Sequence, residues 1–470
     1  MNWSDYRIQP LEEMMAISRT KLFVAMALAA AVFDYVAPTF AADLTATGAD
    51  ASANKDETVP AVDSSSSIAG GWSAGKNRVD FWKYKGEKPL FVIDASNVEK
   101  YADKLTPGQS ALVKQNKGYT MPVYASHRDC VLPAYVQSNT KAAAGKATIG
   151  PDGWSLQNAM LPGVPFPQPK SGIDAMWNFL TRYQGAGIEW PDGYTVVSPS
   201  PGQNNRIDVR WKQMYYFPWA KKGQPAPMSN NELLVGAFYG YNTPAALAGQ
   251  AVVNRFYFKD DSESYYYFTG QRRVRRLPSY AYDAPLIGFE NQYTVDQSTN
   301  FTGLPDRFDW KLLGKSEIYV AYNAFGMLDS KTSATEGAQD RFVNPNNRRY
   351  ELHRVWVVEG TVKAGMRHVM PKKMLYLDED SWIAVAGDDY DSQGKIWKVK
   401  ELPAIPIAEL GGACVGDQLV MYDLNSNRYV ADGLVFGASK DLRFFEDGAD
   451  NPFLRDDFYT MQNLQQQSSR

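Results

Sequence analysis

Residues 251–436 carry a close succession of segments rich in Tyr, Trp, Phe, Val and Ile, and each segment is bounded by Asp, Asn, Gly or Ser. Aromatic and β-branched residues between such turn formers predict β-strands. The predicted strands are Asn254–Lys259, Ser264–Thr269, Glu317–Asn323, Arg349–Thr361, Lys373–Leu377, Trp382–Asp388, Lys395–Glu401 and Gln418–Leu424. Their succession indicates an antiparallel meander. Because no catalytic constellation accompanies them in the sequence, the pattern favours a binding surface over a reaction centre.

The turns of this meander are rich in acidic residues. The clearest hairpin turn is Asp391-Ser392-Gln393-Gly394, between the segments 382–390 and 395–401. The runs Asp378-Glu379-Asp380 and Asp388-Asp389-Tyr390-Asp391 contain the oxygen ligands that calcium takes. Because both runs fall where a meander needs turns, we interpret them as turn residues.

The longest predicted strand has apolar side chains on both of its faces. Alternation places Tyr350, Leu352, Arg354, Trp356 and Val358 on one face, and the other face carries Glu351, His353, Val355, Val357 and Glu359. A sheet of this kind must be covered on both faces. Either helices cover one face and a ligand the other, or protein covers both.

Helices are predicted in the region before the meander. The clearest one begins at Ser171 with Asp174 three residues later and ends before Gly185. Its apolar stripe consists of Ile173, Met176, Trp177, Leu180 and Tyr183. Two further capping boxes, Ser96 with Glu99 and Thr106 with Gln109, predict two shorter helices in succession.

Composition divides the chain into five regions. They are a signal peptide (1–41), a flexible linker rich in Ala, Ser, Thr, Asp and Gly (42–85), a mixed α/β region (86–230), the antiparallel β-meander (231–455) and a polar tail (456–470). In the signal peptide, Arg19 and Lys21 precede an apolar run, and Thr39-Phe40-Ala41 supplies the small residues that signal peptidase requires. Translation begins at Met1, Met14 or Met15. The sequence therefore predicts export to the periplasm.

Charge and cysteine content narrow the class further. Lys and Arg number 49 against 52 Asp and Glu, so a net charge of −3 offers no general attraction to nucleic acid. The two cysteines, Cys130 and Cys414, form one disulfide in an oxidising compartment or remain two buried thiols. The three histidines, His127, His353 and His368, are too few and too scattered to predict a metal cluster. We expect no catalytic residues, no metal and no cofactor.

Six motifs together span most of the chain after the signal peptide. They are Tyr101-Ala102-Asp103-Lys104-Leu105-Thr106-Pro107-Gly108-Gln109, Gly163-Val164-Pro165-Phe166-Pro167, Gly270-Gln271-Arg272-Arg273-Val274-Arg275-Arg276, Pro305-Asp306-Arg307-Phe308-Asp309-Trp310-Lys311, Arg349-Tyr350-Glu351-Leu352-His353-Arg354-Val355-Trp356-Val357-Val358-Glu359 and Asp378-Glu379-Asp380-Ser381-Trp382. With these motifs the sequence resembles a bacterial family, the domain-of-unknown-function family 1329.

This resemblance implies a fold and a function. The family resembles carriers of the LolA and LolB type, which are open antiparallel half-barrels that hold acyl chains, and its members are often encoded with outer-membrane channels and efflux pumps. We therefore expect a mainly β fold with some helices, in which a curved antiparallel sheet carries helices on its concave side. We expect a periplasmic carrier of a lipid or other hydrophobic molecule. The alternatives are a structural component of an envelope complex and an uncharacterised hydrolase.

Two groups of residues are candidates for ligand contacts. The first group, which either lines a pocket or belongs to the core, is Trp177, Trp310, Tyr322, Arg354 and Trp356. The second group is Arg272, Arg273, Arg275 and Arg276. These arginines either pair with acidic turns such as Asp306 and Asp378-Glu379-Asp380 or bind anionic head groups, which guanidinium groups contact bidentately.

Overall fold

The computed structural model describes residues 43–65, 68, 70–223, 225–228, 232–278, 280–448 and 451–468. The predicted signal peptide and the candidate start residues lie outside this part of the chain. Within it, no helix has both the length and the apolar character needed to cross a membrane. The described residues form one compact unit.

Strands dominate the described part of the chain, as predicted. Their bounds are β1 (Phe91–Ile93), β2 (Met121–Val123), β3 (Thr148–Ile149), β4 (Leu156–Gln157), β5 (Met160–Leu161), β6 (Gly187–Val197), β7 (Ile207–Tyr216), β8 (Ala226–Pro227), β9 (Leu233–Thr243), β10 (Ala251–Tyr257), β11 (Glu263–Phe268), β12 (Arg273–Arg276), β13 (Phe308–Ala321), β14 (Tyr350–Val362), β15 (Lys372–Asp378), β16 (Ala384–Tyr390), β17 (Ile396–Glu401), β18 (Ile405–Pro406), β19 (Cys414–Val415), β20 (Val420–Asp423), β21 (Arg428–Leu434) and β22 (Arg443–Phe445). All eight predicted strands overlap observed ones.

One 16-stranded sheet organises the molecule. Its main antiparallel path runs β13-β14-β15-β16-β17-β20-β21-β6-β7-β9-β10-β11-β12, so it consists of two meanders that meet where β21 pairs with β6. Strands β1 and β2 join beside the start of β14 through a parallel pairing of Val123 with Tyr350, and β22 joins beside β6. Pairing of β7 with β9 links the mixed region to the meander region across residue 230.

Five α-helices accompany the sheet in the described residues: α1 (Pro107–Gln115), α2 (Ala134–Ala143), α3 (Gly172–Leu180), α4 (Ala334–Gly337) and α5 (Met461–Ser468). The capping boxes of Thr106 with Gln109 and of Ser171 with Asp174 are both formed. The box predicted for Ser96 is absent because the side chain of Asp94 accepts both the backbone N–H and the hydroxyl of Ser96, at 2.8 and 2.6 Å.

Helix α3 is buried against the sheet. It ends at Leu180, before the predicted stop, and Thr181 donates its hydroxyl to the carbonyl of Trp177 at 2.6 Å. Its first residue, Gly172, lies so close to β13 that a Cβ there would be 2.4 Å from the carbonyl carbon of Trp310. Glycine at this position therefore lets the helix approach the strand.

Two segments that were expected to be loose or polar pack against the sheet. Val59 and Ala49, in the predicted linker, are buried. In the predicted tail, Phe458, Tyr459 and Leu464 form a buried cluster with residues of β7, β9, β10 and β11. In both segments, isolated apolar side chains are buried among polar neighbours. Because these apolar residues are spaced irregularly, the sequence shows no periodic pattern that would have predicted the packing.

The turn interpretation of the acidic runs is confirmed in part. Asp391 N–H donates to the carbonyl of Lys395 at 2.9 Å in the hairpin between β16 and β17. Asp388 and Asp389, however, are fully buried residues of β16, so their assignment to a turn was wrong. Tertiary partners explain their burial, because Lys400 donates to Asp389 at 3.0 Å and the backbone N–H of Gly108 donates to Asp388 at 3.1 Å.

Cys130 and Cys414 form a disulfide.

Candidate functional site

One face of strands β7, β9 and β10 forms the floor of an apolar cavity. Its floor residues alternate along each strand, and they are Gln213, Tyr215, Ala237, Tyr239, Tyr241, Val252, Asn254 and Phe256. Cross-strand pairing places Tyr215 beside Ala237 and Ala237 beside Asn254. The intervening residues, among them Tyr216, Phe238 and Val253, face the opposite side, where the C-terminal segment covers them. Because successive side chains of a strand point to opposite faces, one face of these strands lines the cavity and the other packs against the C-terminal segment.

The walls of the cavity come from distant parts of the chain. The end of α3 and the loop after it contribute Leu180 and Arg182, and the segment 280–303 contributes aromatic and aliphatic side chains such as Leu286, Phe289 and Phe301. The cavity volume is about 100 Å³. One water needs roughly 10–15 Å³, so the cavity has room for a small apolar group or part of an acyl chain.

Arg182 brings a charged group to this apolar cavity. Its side chain is 7% exposed, and its Nη1 donates to the carbonyl of Phe179 at 3.0 Å. The guanidinium lies 4.7 Å from the centre of the Phe179 ring. Burial lowers the pKa of Arg182 to about 10, an effect that the charge of Asp417 only partly opposes. Arg182 and Asp417 do not form a direct ion pair.

Two carboxyl groups lie near Arg182. Burial raises the pKa of Asp417 to about 7, with Arg182 acting against this shift and Asp432 adding to it. Asp432 accepts hydrogen bonds from Thr195 and, at 2.9 Å, from the hydroxyl of Tyr293, and burial raises its pKa as well. We call Arg182, Asp417 and Asp432 the polar end of the cavity, because all three line it and interact electrostatically.

Several buried polar atoms that line the cavity have no hydrogen-bond partner in the described part of the chain. They include Arg182 Nε, Gln184 Oε1, Asn254 Oδ1 and Asp417 Oδ2. Buried donors and acceptors are almost always paired in native proteins, because an unmade hydrogen bond costs about 1–3 kcal/mol. A polar group inside the cavity would satisfy them.

A second depression adjoins the cavity at Phe256 and Gly303, which line both. Its volume is about 640 Å³, and it carries charged residues of both signs, namely Asp260, Asp261, Arg276, Asp283 and Arg307. Arg182, Asp417 and Asp432, which form the polar end, line the cavity but not this depression. The cavity therefore has a charged depression beside Phe256 and a mixed polar end at Arg182 and Asp417.

The aromatic candidates from the sequence lie elsewhere. Trp177 is fully buried, stacks on Phe258 and donates its indole N–H to the carbonyl of Trp154 at 2.6 Å. Trp310 and Trp356 are half-buried against the main core, and Tyr322 stacks on His353 with ring centres 3.6 Å apart. Arg354 lies 3.4 Å from Glu317. None of the five lines the cavity described above, and their role in ligand binding stays a prediction.

The arginine cluster occupies the end of the sheet. Arg273, Arg275 and Arg276 are exposed residues of β12, and Arg272 precedes it with a positive φ of 49°. Arg276 approaches Glu263 at 3.7 Å, and Arg275 donates to Gln271 at 2.9 Å. The predicted pairing with Asp306 and with residues 378–380 was wrong, because Tyr282 donates to Asp306 and Arg128 binds Glu379 and Asp380. An anion-binding role for this cluster stays a prediction.

His353 lies within a cluster that the sequence did not indicate. His353, Asp378 and Asp380 each offer one potential ligand atom, and these atoms lie within 4.8 Å of one another. Both oxygens of Asp380 already accept from Arg128, at 2.7 and 2.9 Å, and Nε2 of His353 lies 3.1 Å from Glu351. A cation would have to compete with Arg128. The cluster is therefore better suited to ion pairing than to holding a metal.

Comparison with known proteins agrees with the motifs in the sequence. Residues 92–465 match the family described as "Protein of unknown function (DUF1329)". The chain belongs to this family. This match to DUF1329 confirms the family resemblance that the sequence motifs indicated. An uncharacterized protein of Pseudomonas aeruginosa is 35% identical over 400 residues, which is 83% of this chain and 85% of that protein.

Solved structures show weaker similarity. A DUF1329 family protein from Desulfovibrio piger has a TM-score of 0.38 at 11% identity, and a LolA superfamily protein from Nitrosomonas europaea has a TM-score of 0.36 at 12% identity. Each comparison covers 98% of the solved chain and 62% of this one.

Sequence reasoning missed the cavity and its polar end. The alternation of β7, Ile207–Tyr216, is a readable strand signal, with Trp211 and Gln213 on the face that Tyr215 shares. Arg182 and Asp417 have no such signal, because 235 residues separate them in the chain and only the fold brings them together.

Proposed function

We propose that this DUF1329 protein is a periplasmic carrier that binds a lipid or other hydrophobic molecule in the cavity above β7, β9 and β10. We also propose that the sheet curves as an open half-barrel with helices on its concave side, and that the carrier acts with an outer-membrane channel or an efflux pump. The cavity is the single observation that carries the proposal, because its lining is mainly apolar and aromatic. Each methylene group buried there gains about 0.8 kcal/mol, so loose hydrophobic contacts suffice for binding.

The disulfide supports the proposed location. Cys130 and Cys414 are both buried and bonded to each other. Structural disulfides persist in oxidising compartments such as the periplasm. The predicted signal peptide at residues 1–41 agrees with this location.

The experiment combines native mass spectrometry with a binding assay. Protein purified from the periplasm is expected to carry lipid, which native spectra would show as added mass. After delipidation, the uncharged fluorescent probe N-phenyl-1-naphthylamine is titrated into the wild-type protein and into Ala237→Phe. Ala237 is a floor residue, and a phenyl ring there fills the cavity. We expect the probe affinity of the variant to fall by about tenfold or more, which is about 1.4 kcal/mol.

Leu90→Phe provides the control, because Leu90 is 67% exposed and lies outside the cavity lining. It should bind the probe like the wild type. Lipid-free protein from the periplasm that also binds no probe would refute the carrier function, and so would equal probe affinity in folded Ala237→Phe.

A further inference from the structure

We propose that the ligand enters the cavity with an uncharged, hydroxyl-type head group that lies at the polar end between Arg182 and Asp417. This inference rests on the proposed carrier function and names the chemical class of its ligand. Arg182 is more than nine-tenths buried, lines the cavity and leaves Nε without a partner in the described residues. Asp417, equally buried, leaves Oδ2 unpaired on the same cavity.

The charges at the polar end argue against an ionised head group. A carboxylate or phosphate placed there would meet two carboxyl groups, Asp417 and Asp432, beside the guanidinium of Arg182. An ammonium group would meet the guanidinium of Arg182 beside the same two carboxyl groups. Either charged head group therefore has a like charge among the three groups of the polar end, and taking its own charge out of water costs several kcal/mol that this mixed set returns only in part.

A hydroxyl group fits both unpaired atoms. Its oxygen accepts from Arg182 Nε, and its hydrogen is donated to Asp417 Oδ2. No charge is added to the polar end. Arg182 and Asp417 make no direct ion pair, so neither group occupies the free hydrogen-bonding position of the other. The apolar chain of the ligand then runs along Val252 and Phe256 toward the adjoining depression.

The test compares three twelve-carbon ligands that differ only in head group: 1-dodecanol, dodecanoate and dodecylamine. Each displaces N-phenyl-1-naphthylamine from delipidated full-length protein at pH 7.5, below the concentration at which it aggregates. We expect dodecanol to bind about tenfold or more tighter than the other two. In Arg182→Met, the affinity for dodecanol should fall by about five- to tenfold, and the preference for dodecanol over dodecanoate and dodecylamine should shrink. Arg455→Met, which removes an arginine that is 60% exposed, is the matched control.

The outcomes separate this inference from the carrier function. Tighter binding of dodecanoate or dodecylamine overturns the head-group assignment and leaves the carrier function in place. An unchanged dodecanol affinity in Arg182→Met does the same. If neither the probe nor any of the three ligands binds, the carrier function itself fails. The ranking of the ligands is measured on the wild-type protein, so it decides the inference even where Arg182→Met does not fold.

Discussion

Gly108 shows how one residue of a family motif supports the fold. It lies in the first turn of α1, where its backbone N–H donates to Asp388 of β16 at 3.1 Å. A Cβ at this position would lie 2.0 Å from Asp388 Oδ1. Thr106 and Gln109 complete the same turn with a capping box, and Gln109 also donates to the carbonyl of Tyr319. The motif therefore joins α1 to two separate strands.

Replacing Gly108 with Ala tests this contact. Alanine favours a helix by about 1 kcal/mol over glycine, yet the steric conflict with buried Asp388 should outweigh that gain and destabilise the protein by about 1–3 kcal/mol. Urea unfolding measures the change. Gly86→Ala is the control, because a Cβ at residue 86 would have no neighbouring atom within 4 Å in the described part of the chain, and the substitution should have little effect. Equal stability of the two variants would contradict the close contact.

Asp417 makes stability depend on pH. Its pKa is raised by burial to about 7 in the folded protein, whereas an unfolded Asp titrates near 3.9. Between these values the folded state holds a proton that the unfolded state has released. Rising pH therefore removes stability across this window, by up to about 1.4 kcal/mol per pH unit.

The variant Asp417→Asn should lose this dependence. We expect its stability to equal that of the wild type near pH 4.5 and to exceed it progressively toward pH 7.5, because asparagine has no charge to bury. Unfolding in urea at pH 4.5, 6 and 7.5 measures the difference, with Asp103→Asn at the surface as the control for loss of a carboxyl group. A constant difference between Asp417→Asn and the wild type at all three pH values would show that Asp417 does not titrate in this window.

At the scale of elements, Arg128 connects residues 43–65 to the sheet through hydrogen bonds and ion pairs. Its guanidinium donates to the carbonyl of Asp50 at 2.7 Å and to that of Pro60 at 3.2 Å. It also binds Glu379 and Asp380, which follow β15, at 3.0 and 2.7 Å. All three ionic side chains are at most 7% exposed. One buried cation thus satisfies backbone and carboxylate groups that are far apart in the sequence.

Arg128→Met should detach this segment. Removing Arg128 leaves the buried carboxylate of Asp380 without its ion-pair partner, whereas Glu379 keeps Lys315 at 2.7 Å, and we expect a loss of about 3–5 kcal/mol. Residues 43–65 should also become susceptible to limited proteolysis. Lys114→Met, which breaks an exposed pair with Glu99, should have a much smaller effect. If residues 43–65 stay protected in Arg128→Met, other contacts hold the segment.

At the scale of the whole molecule, long-range links close the fold. The two meanders meet through β21 and β6, where Val430 pairs with Val197. The disulfide between Cys130 and Cys414 joins residues 284 positions apart. A crosslink across so long a loop restricts the unfolded chain strongly.

Replacing both cysteines with alanine should therefore lower stability by about 2–4 kcal/mol, with a lower melting temperature. Reduction of the wild type with dithiothreitol should give the same shift. The double variant provides the control, because the reductant should not change its melting temperature. If the melting temperature of the wild type stays the same after its disulfide has been reduced with dithiothreitol, the disulfide does not contribute the expected stability.

The sequence by itself determined the local elements. Alternating aromatic and β-branched residues identified eight strands, and the caps at Thr106 and Ser171 identified two helix starts, because these signals depend on neighbours within a few residues. The hairpin turn at 391–394 was predictable for the same reason.

Only the tertiary structure decided which polar residues are buried and where the cavity lies. Asp388 and Asp389 carry the sequence pattern of a turn, yet partners on α1 and β17 allow them to lie inside a strand. Likewise, β7, β9 and β10 form the cavity floor, but its polar end requires Arg182 and Asp417 from distant parts of the chain. Contacts between residues hundreds of positions apart leave no periodic trace in the sequence, so local patterns could not reveal them.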